Sequence, residues 1–440
     1  MRIAIVHEWL ETYAGSERVV EQLLAMFPSA DLFALVDFLP QEQRQFLNGR
    51  NPRTSFIQKL PFARKRFRSY LPLFPFAIQQ LDLASYDLVI SSSHAVAKGV
   101  ITGPHQLHVS YVHSPIRYAW DLQGEYLHTA GLERGPKSWL ARATLHRLRQ
   151  WDVASAHGVD SFVANSRFVA RRIAKAYGRR AAVVWPPVDT EAFTPGGERK
   201  DDYLVMARQV PYKRIDLVVQ AFAAMPQRRL MVIGDGPEAA KIHRMAPKNV
   251  TLLGRQPFAV AREHMRCARA FIYPAIEDFG IVLAEAQAAG TPVIALRRGG
   301  AEDIVLDLNS RTPTGVLFDE QTPEAIVEAV ERFEAAQPRI DWRACRSNAE
   351  RFSVAAFRSA MRRCIDDAIA MHGDIGRVSG LPPFSGVPER LAEPLPAARK
   401  DVTQLDPEPL PDLASCAVSM GAMPMREHAS RAEPLRTGRD

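Results

Sequence analysis

Glu277 and Glu285 bracket the run Glu277-Asp278-Phe279-Gly280-Ile281-Val282-Leu283-Ala284-Glu285. A carboxylate opens a turn, a glycine lets the backbone come close to a ligand, and a second carboxylate follows on an expected helix. That helix should begin between Phe279 and Ile281 and run through Ala289, because Gly290 and Pro292 stop it. Its first N–H groups and positive dipole end suit a negatively charged or polyhydroxylated ligand. Glu285, in the first turns, is placed to accept hydrogen bonds from sugar hydroxyls. Two glutamates on a helix equally describe a solvated face, so the surrounding residues decide.

Arg208 and Lys213 lie just after the expected strand Tyr203–Met206. Two cations at a strand end can neutralise a diphosphate and stabilise it as a leaving group. His113, in Tyr111-Val112-His113-Ser114-Pro115, follows another strand and could hydrogen-bond a reacting sugar. Gly15 follows the first strand, where its backbone could approach a phosphate or sugar while Ser16 caps the next helix. Gly234, in Gly234-Asp235-Gly236-Pro237, ends a second-domain strand and suits close ligand approach or a tight turn. GxGxxG is absent, which counts against NAD or FAD.

Positioning these groups requires strands that end at a common cleft. Strands are expected at Ile3–Val6, Leu32–Val36, Leu88–Ser91, Leu107–Val112 and Ser161–Ala164, with a helix over Glu17–Phe27. A second alternation has strands Tyr203–Met206, Arg229–Ile233, Val250–Leu253, Ala270–Tyr273, Pro292–Ala295 and Gly315–Phe318. The fold class is therefore α/β, with two doubly wound parallel-sheet, Rossmann-like domains facing a cleft. We expect an N-terminal domain over 1–187 and a C-terminal one over 188–350, with the linker inside 186–202. Residues 351–372 should form a helix capped by Ser353 that crosses back to the first domain. The Pro-rich, charge-mixed stretch 373–440 reads as a disordered tail.

The 440 residues carry a net charge of +7, unevenly spread. Residues 1–187 hold 23 Lys and Arg against 14 Asp and Glu. The segment 59–76 mixes Lys59, Arg64, Lys65, Arg66 and Arg68 with Phe62, Phe67, Phe74 and Phe76. It reads as a patch for an anionic membrane surface or as a surface helix whose aromatics pack on the sheet. No nucleic-acid module accompanies it, so nucleic acid is not an expected partner. Four cysteines without CxxC spacing indicate neither zinc nor disulfides. No apolar run reaches the roughly 18–20 residues of a span. The expected location is cytoplasmic, peripheral to the inner face of the plasma membrane.

Together, the Gly15 loop, His113, Arg208 with Lys213, and Glu277 with Glu285 resemble the retaining glycosyltransferases of family GT4, which have the GT-B fold. The resemblance covers about residues 1–372. It implies that Arg208 and Lys213 hold the donor diphosphate and that Glu285 binds the ribose. Glu277 and the backbone of Phe279, Gly280 and Ile281 would contact the donor sugar, and His113 would meet it near the reaction centre. His113 and Glu277 are thus the catalytic candidates, and Gly15 and Gly234 join the donor-binding set. Many relatives have two adjacent glycines where this chain has Ala14-Gly15.

The stretches 87–99 and 113–121 look like bacterial surface-polysaccharide transferases, several of which use GDP-mannose. The implied reaction is mannosyl transfer from GDP-mannose to a lipid-linked glycan, such as one on polyprenyl diphosphate, in exopolysaccharide or O-antigen synthesis. A UDP-sugar donor, a sugar-nucleotide epimerase and a non-catalytic GT-B scaffold are the alternatives. Configuration would be retained, the leaving diphosphate itself deprotonating the acceptor. The second domain has no DxD dyad, so we expect no metal, and no cofactor beyond the nucleotide sugar as co-substrate.

Overall fold

The computed structural model describes residues 1–378 apart from Gly197. Seven strands form the first sheet: β1 (Ile3–His7), β2 (Asp31–Ala34), β3 (Arg53–Thr54), β4 (Leu88–Ser93), β5 (Leu107–Val112), β6 (Ser161–Ala164) and β7 (Ala181–Val183), in the order β3-β2-β1-β4-β5-β6-β7. The second sheet holds β8 (Asp202–Met206), β9 (Arg229–Ile233), β10 (Val250–Gly254), β11 (Phe271–Tyr273), β12 (Val293–Leu296) and β13 (Gly315–Phe318), ordered β10-β9-β8-β11-β12-β13. Every strand pairing is parallel. In both sheets the order reverses beside the first strand, which opens a crevice at the strand C-termini.

Alternation explains the burial. Ala4 and Val6 of β1 enter one core cluster, while Ile3 and Ile5 enter the cluster on the opposite face. A strand covered on both sides reads as a continuous apolar run, as Ile3–Val6 of β1 does; β4 and β5 are buried throughout too, but their Ser91, His108 and Ser110 hydrogen-bond one another. The second domain has one large cluster built on β8, β9, β11 and β12.

All the expected strands are present, within a residue or two at their ends. The sequence reading missed β3 and β7, which are two and three residues long and partly exposed. Ser16 is not a cap: the helix Gly15–Met26 already includes it, and Ala14 stands at the N-cap. Glu17 accepts from the Ala14 N–H instead (3.0 Å). The expected tail also changes at its start. The final helix runs Val354–Val378, so residues 373–378 are its last turns. Gly373 and Gly376 each cost such a helix only about 1 kcal/mol, less than its packed length supplies. From residue 379 the tail lies outside the described residues.

The chain passes between the sheets twice, and the two passages touch. Val188 pairs with Ser353, and its N–H donates to the Phe352 carbonyl (2.9 Å). Ser353 Oγ accepts from the Ala356 N–H (3.2 Å) and starts the final helix. That helix buries Phe357, Met361, Ile365 and Ala368 in the core of the first sheet.

Candidate functional site

A cavity of about 350 Å3 lies between the two sheets. From the first domain it is lined by the 9–18 loop and helix start after β1, His94 after β4, His113 after β5 and Asn165 after β6. The second domain contributes Arg208 and Lys213 after β8, and Tyr273 with Glu277 to Val282 at and after the end of β11. Gly15, His113, Arg208, Lys213, Glu277, Phe279, Gly280 and Ile281 are thus brought together. Gly234 and Glu285 are not in the lining.

Lys213 is the buried cation of this site. Its Nζ donates to Tyr273 OH (2.8 Å) and contacts Glu277 Oε1, which also accepts from Tyr273 OH (2.7 Å). Burial alone would lower the ammonium pKa, but the Glu277 carboxylate outweighs it and the value is raised. Lys213 therefore stays charged in a site of low dielectric, where a fixed charge acts strongly on a phosphate.

Gly280 directs the adjoining helix. Its φ of 90° is a left-handed conformation that side chains strain to adopt, and it sets the N-terminus of Ile281–Ala288 on the cavity wall. Behind this turn, the Gly300 N–H donates to the Glu277 carbonyl (2.8 Å). The loop is clamped from the front as well. Asp278 is buried, contacts Arg117 Nη2, and accepts from Arg172 Nη1 (2.7 Å), both arginines belonging to the first domain. Ser166 Oγ donates to the Asp278 carbonyl (2.5 Å).

Two expected roles look different in three dimensions. A Cβ on Gly234 would lie 1.9 Å from the Ala207 carbonyl oxygen, so this glycine admits the chain's own backbone. It lets the turn after β9 pack beneath the loop that carries Arg208. Glu285 is only 1 % exposed and accepts from Arg18 Nη1 across the cleft (3.0 Å). Burial would lower the Arg18 pKa, but Glu285 raises it overall.

Ala14 keeps an extended backbone (φ −137°, ψ −153°) that any residue can adopt, so the expected departure from a glycine pair leaves no strain. A Cβ on Gly15 would come 3.2 Å from Ile281 Cδ1, which marks where the two domains nearly touch. His113 Nε2 lies 2.9 Å from Ser92 Oγ, and Asn165 Nδ2 donates to the His113 carbonyl (3.0 Å). Burial, then His94, His7 and Arg117, hold its pKa well below the usual histidine value, so the imidazole is neutral.

Sequence reasoning missed Tyr273, Asp278, Arg117 and Arg18. Asp278 and Arg117 were inside quoted motifs, and a charged residue beside a chemical one was the available signal. Arg18 gave none, since a lone arginine on a first helical turn ordinarily faces water.

The segment around 59–76 divides its aromatics. Phe67, Leu71 and Phe74 are buried, whereas Phe62 is 79 % exposed and Phe76 57 %. Phe62 has a φ of 56°, rare for a bulky residue, and its ring stands in solvent. Phe56 and Phe76 pair on the surface with centroids 5.7 Å apart. Arg68 turns inward, contacting Glu11 Oε2 (2.5 Å), and lines the cavity. Among the described residues, no helix is long and apolar enough to cross a membrane.

Comparison with known proteins follows the same division. Residues 13–192 match the family described as Glycosyltransferase Family 4, and residues 190–352 match Glycosyl transferases group 1. A GDP-mannose-dependent alpha-(1-6)-phosphatidylinositol monomannoside mannosyltransferase of Mycolicibacterium smegmatis is 30% identical over 222 residues, 43% of this chain and 55% of its own. A D-inositol 3-phosphate glycosyltransferase of Segniliparus rotundus is 33% identical over 241 residues, 46% of this chain and 53% of its own. The chain thus spans about half the length of the curated relatives it matches. Among solved structures, Anabaena Alr3699/HepE in complex with UDP-glucose has a TM-score of 0.59 at 16% identity, covering 83% of this chain and 100% of that one. That likeness establishes the GT-B fold.

Proposed function

The chain belongs to the GT4 glycosyltransferases, and from that premise we propose that it transfers mannose from GDP-mannose, with retention, to a lipid-linked glycan. The observation that carries this reading is the convergence of Lys213, Arg208 and the Gly280 helix start on one cavity, opposite His113 of the other domain. A buried ammonium and a helix N-terminus on one wall suit a departing diphosphate. Glu277, bonded to Lys213, would face the sugar. Glu285 would take the ribose once it leaves Arg18.

GDP-mannose is favoured because several relatives carry it in their names, including one from Corynebacterium glutamicum at 33% identity. The named acceptors of those relatives are phosphatidylinositol mannosides, which supports a lipid-linked acceptor here. Exopolysaccharide or O-antigen synthesis at the inner face of the plasma membrane remains our assignment for the process. The exposed Phe62 and its cationic neighbours would rest on an anionic bilayer. Transfer would need the nucleotide sugar alone, without a metal or a resident cofactor.

Thermal shift with a donor panel tests the assignment. GDP-mannose should raise the melting temperature, as any ligand selecting the native state does. Stabilisation by UDP-glucose or UDP-galactose, with none by GDP-mannose, would replace the donor. Mannosyl transfer should persist in excess EDTA; loss of transfer, restored by manganese, would overturn metal independence.

A further inference from the structure

A buried chain of polar groups leads from His113 into the first domain. His113 Nε2 is 2.9 Å from Ser92 Oγ, Ser92 Oγ is 3.2 Å from His7 Nδ1, and His7 Nε2 is 3.4 Å from Glu17 Oε1. Glu17 Oε2 accepts from the Ala14 N–H and from Ser16 Oγ, both at 3.0 Å, so the chain ends on the Gly15 loop. His7 and Ser92 are fully buried and Glu17 nearly so, which leaves the groups to satisfy one another.

A neutral imidazole has one N–H and one lone pair, and the partner of one nitrogen decides the role of the other. Burial pushes the Glu17 carboxyl up, but His7, the loop backbone and Ser16 together outweigh it and the pKa is lowered. Ionised, Glu17 only accepts. It then takes the His7 Nε2–H, and on a neutral His7 that makes Nδ1 an acceptor for the Ser92 hydroxyl. Ser92 Oγ is left to accept the His113 Nε2–H.

We propose that Glu17, His7 and Ser92 are positioning residues that fix His113 as its Nε2–H tautomer, leaving Nδ1 to accept from a hydroxyl of the transferring sugar. The sugar contact rests on the transferase reading; the tautomer does not. One contact opposes the assignment: His7 Nδ1 also lies 3.3 Å from the Ser92 carbonyl. A doubly protonated His7 would donate there and to Glu17, turn the Ser92 hydroxyl toward His113, and place the His113 proton on Nδ1. His94, Tyr111 and Arg117 also face His113, and the first and last oppose a positive charge on it.

Long-range 15N–1H spectra of histidine rings in the full chain distinguish the two, with His113 signals assigned from their loss in His113→Asn. The wild type should show the Nε2–H form of His113 at neutral pH. Ser92→Ala should remove that single tautomer and lower kcat/KM for the donor about tenfold. Ser92→Thr keeps the hydroxyl and should restore both readouts. His113 protonated at Nδ1 in the wild type, or ring shifts unchanged in Ser92→Ala, would overturn the proposal. Failure of the transferase reading would appear separately, as absent turnover with the tautomer still fixed.

Discussion

Lys213 shows how one residue can be both costly and useful. An ammonium so deeply buried persists only because Tyr273 OH and Glu277 hold it. On the proposed reading, the same charge faces the departing diphosphate. Lys213→Ala should therefore reduce kcat about 10²–10³-fold in steady-state transfer assays. An unchanged kcat would remove Lys213 from the chemistry and leave Glu277 as a merely structural partner. Legibility at this scale was uneven. Lys213 and Glu277 were visible as charges at strand ends, but their direct contact was not, because spacing along the chain says nothing about which strand ends meet.

Elements were easier to read, since alternation and helical spacing report burial directly. Each central strand was found from its buried apolar positions, while β3 offers only Arg53 and Thr54 and β7, though apolar, is three residues long and partly exposed. Local backbone geometry was legible only through glycine, as at Gly280. Gly280→Ala would force a side chain into a φ of 90° and bring Cβ within 3.0 Å of Leu283 Cδ1. We expect a loss of about 1–3 kcal/mol in denaturant unfolding and a reduced thermal shift with donor. A stable variant with full donor response would mean the turn is not required.

Strand β5 carries a second titratable consequence. Burial lowers the His108 pKa to about 4. Below the unfolded value of about 6.5 the unfolded chain binds a proton that the folded chain refuses. Stability should thus fall as pH drops through that window, by about 3 kcal/mol once it is crossed. His108→Gln should flatten this part of a stability–pH curve measured by chemical unfolding, and an unaltered slope would count against it.

At the scale of the whole molecule, the domains hold each other by charge. Asp278 lies between Arg117 and Arg172, and Arg18 reaches Glu285. Such pairs were invisible in the sequence because their partners are more than a hundred residues apart. Asp278→Asn strips the arginines of their shared carboxylate, though Arg172 keeps Asp121. Removing one partner of a buried pair typically costs about 3–5 kcal/mol, and here the lower end is expected. Small-angle scattering should also show a larger radius of gyration. Unchanged scattering would mean that the ion pairs follow closure without maintaining it.

The side-by-side crossing of Val188 and Ser353 has a mechanical consequence. Two plates joined along one short seam would turn most easily about it. The swing is smallest at the seam and largest at the far lip of the cleft. Any parting of the two walls would pivot about this seam.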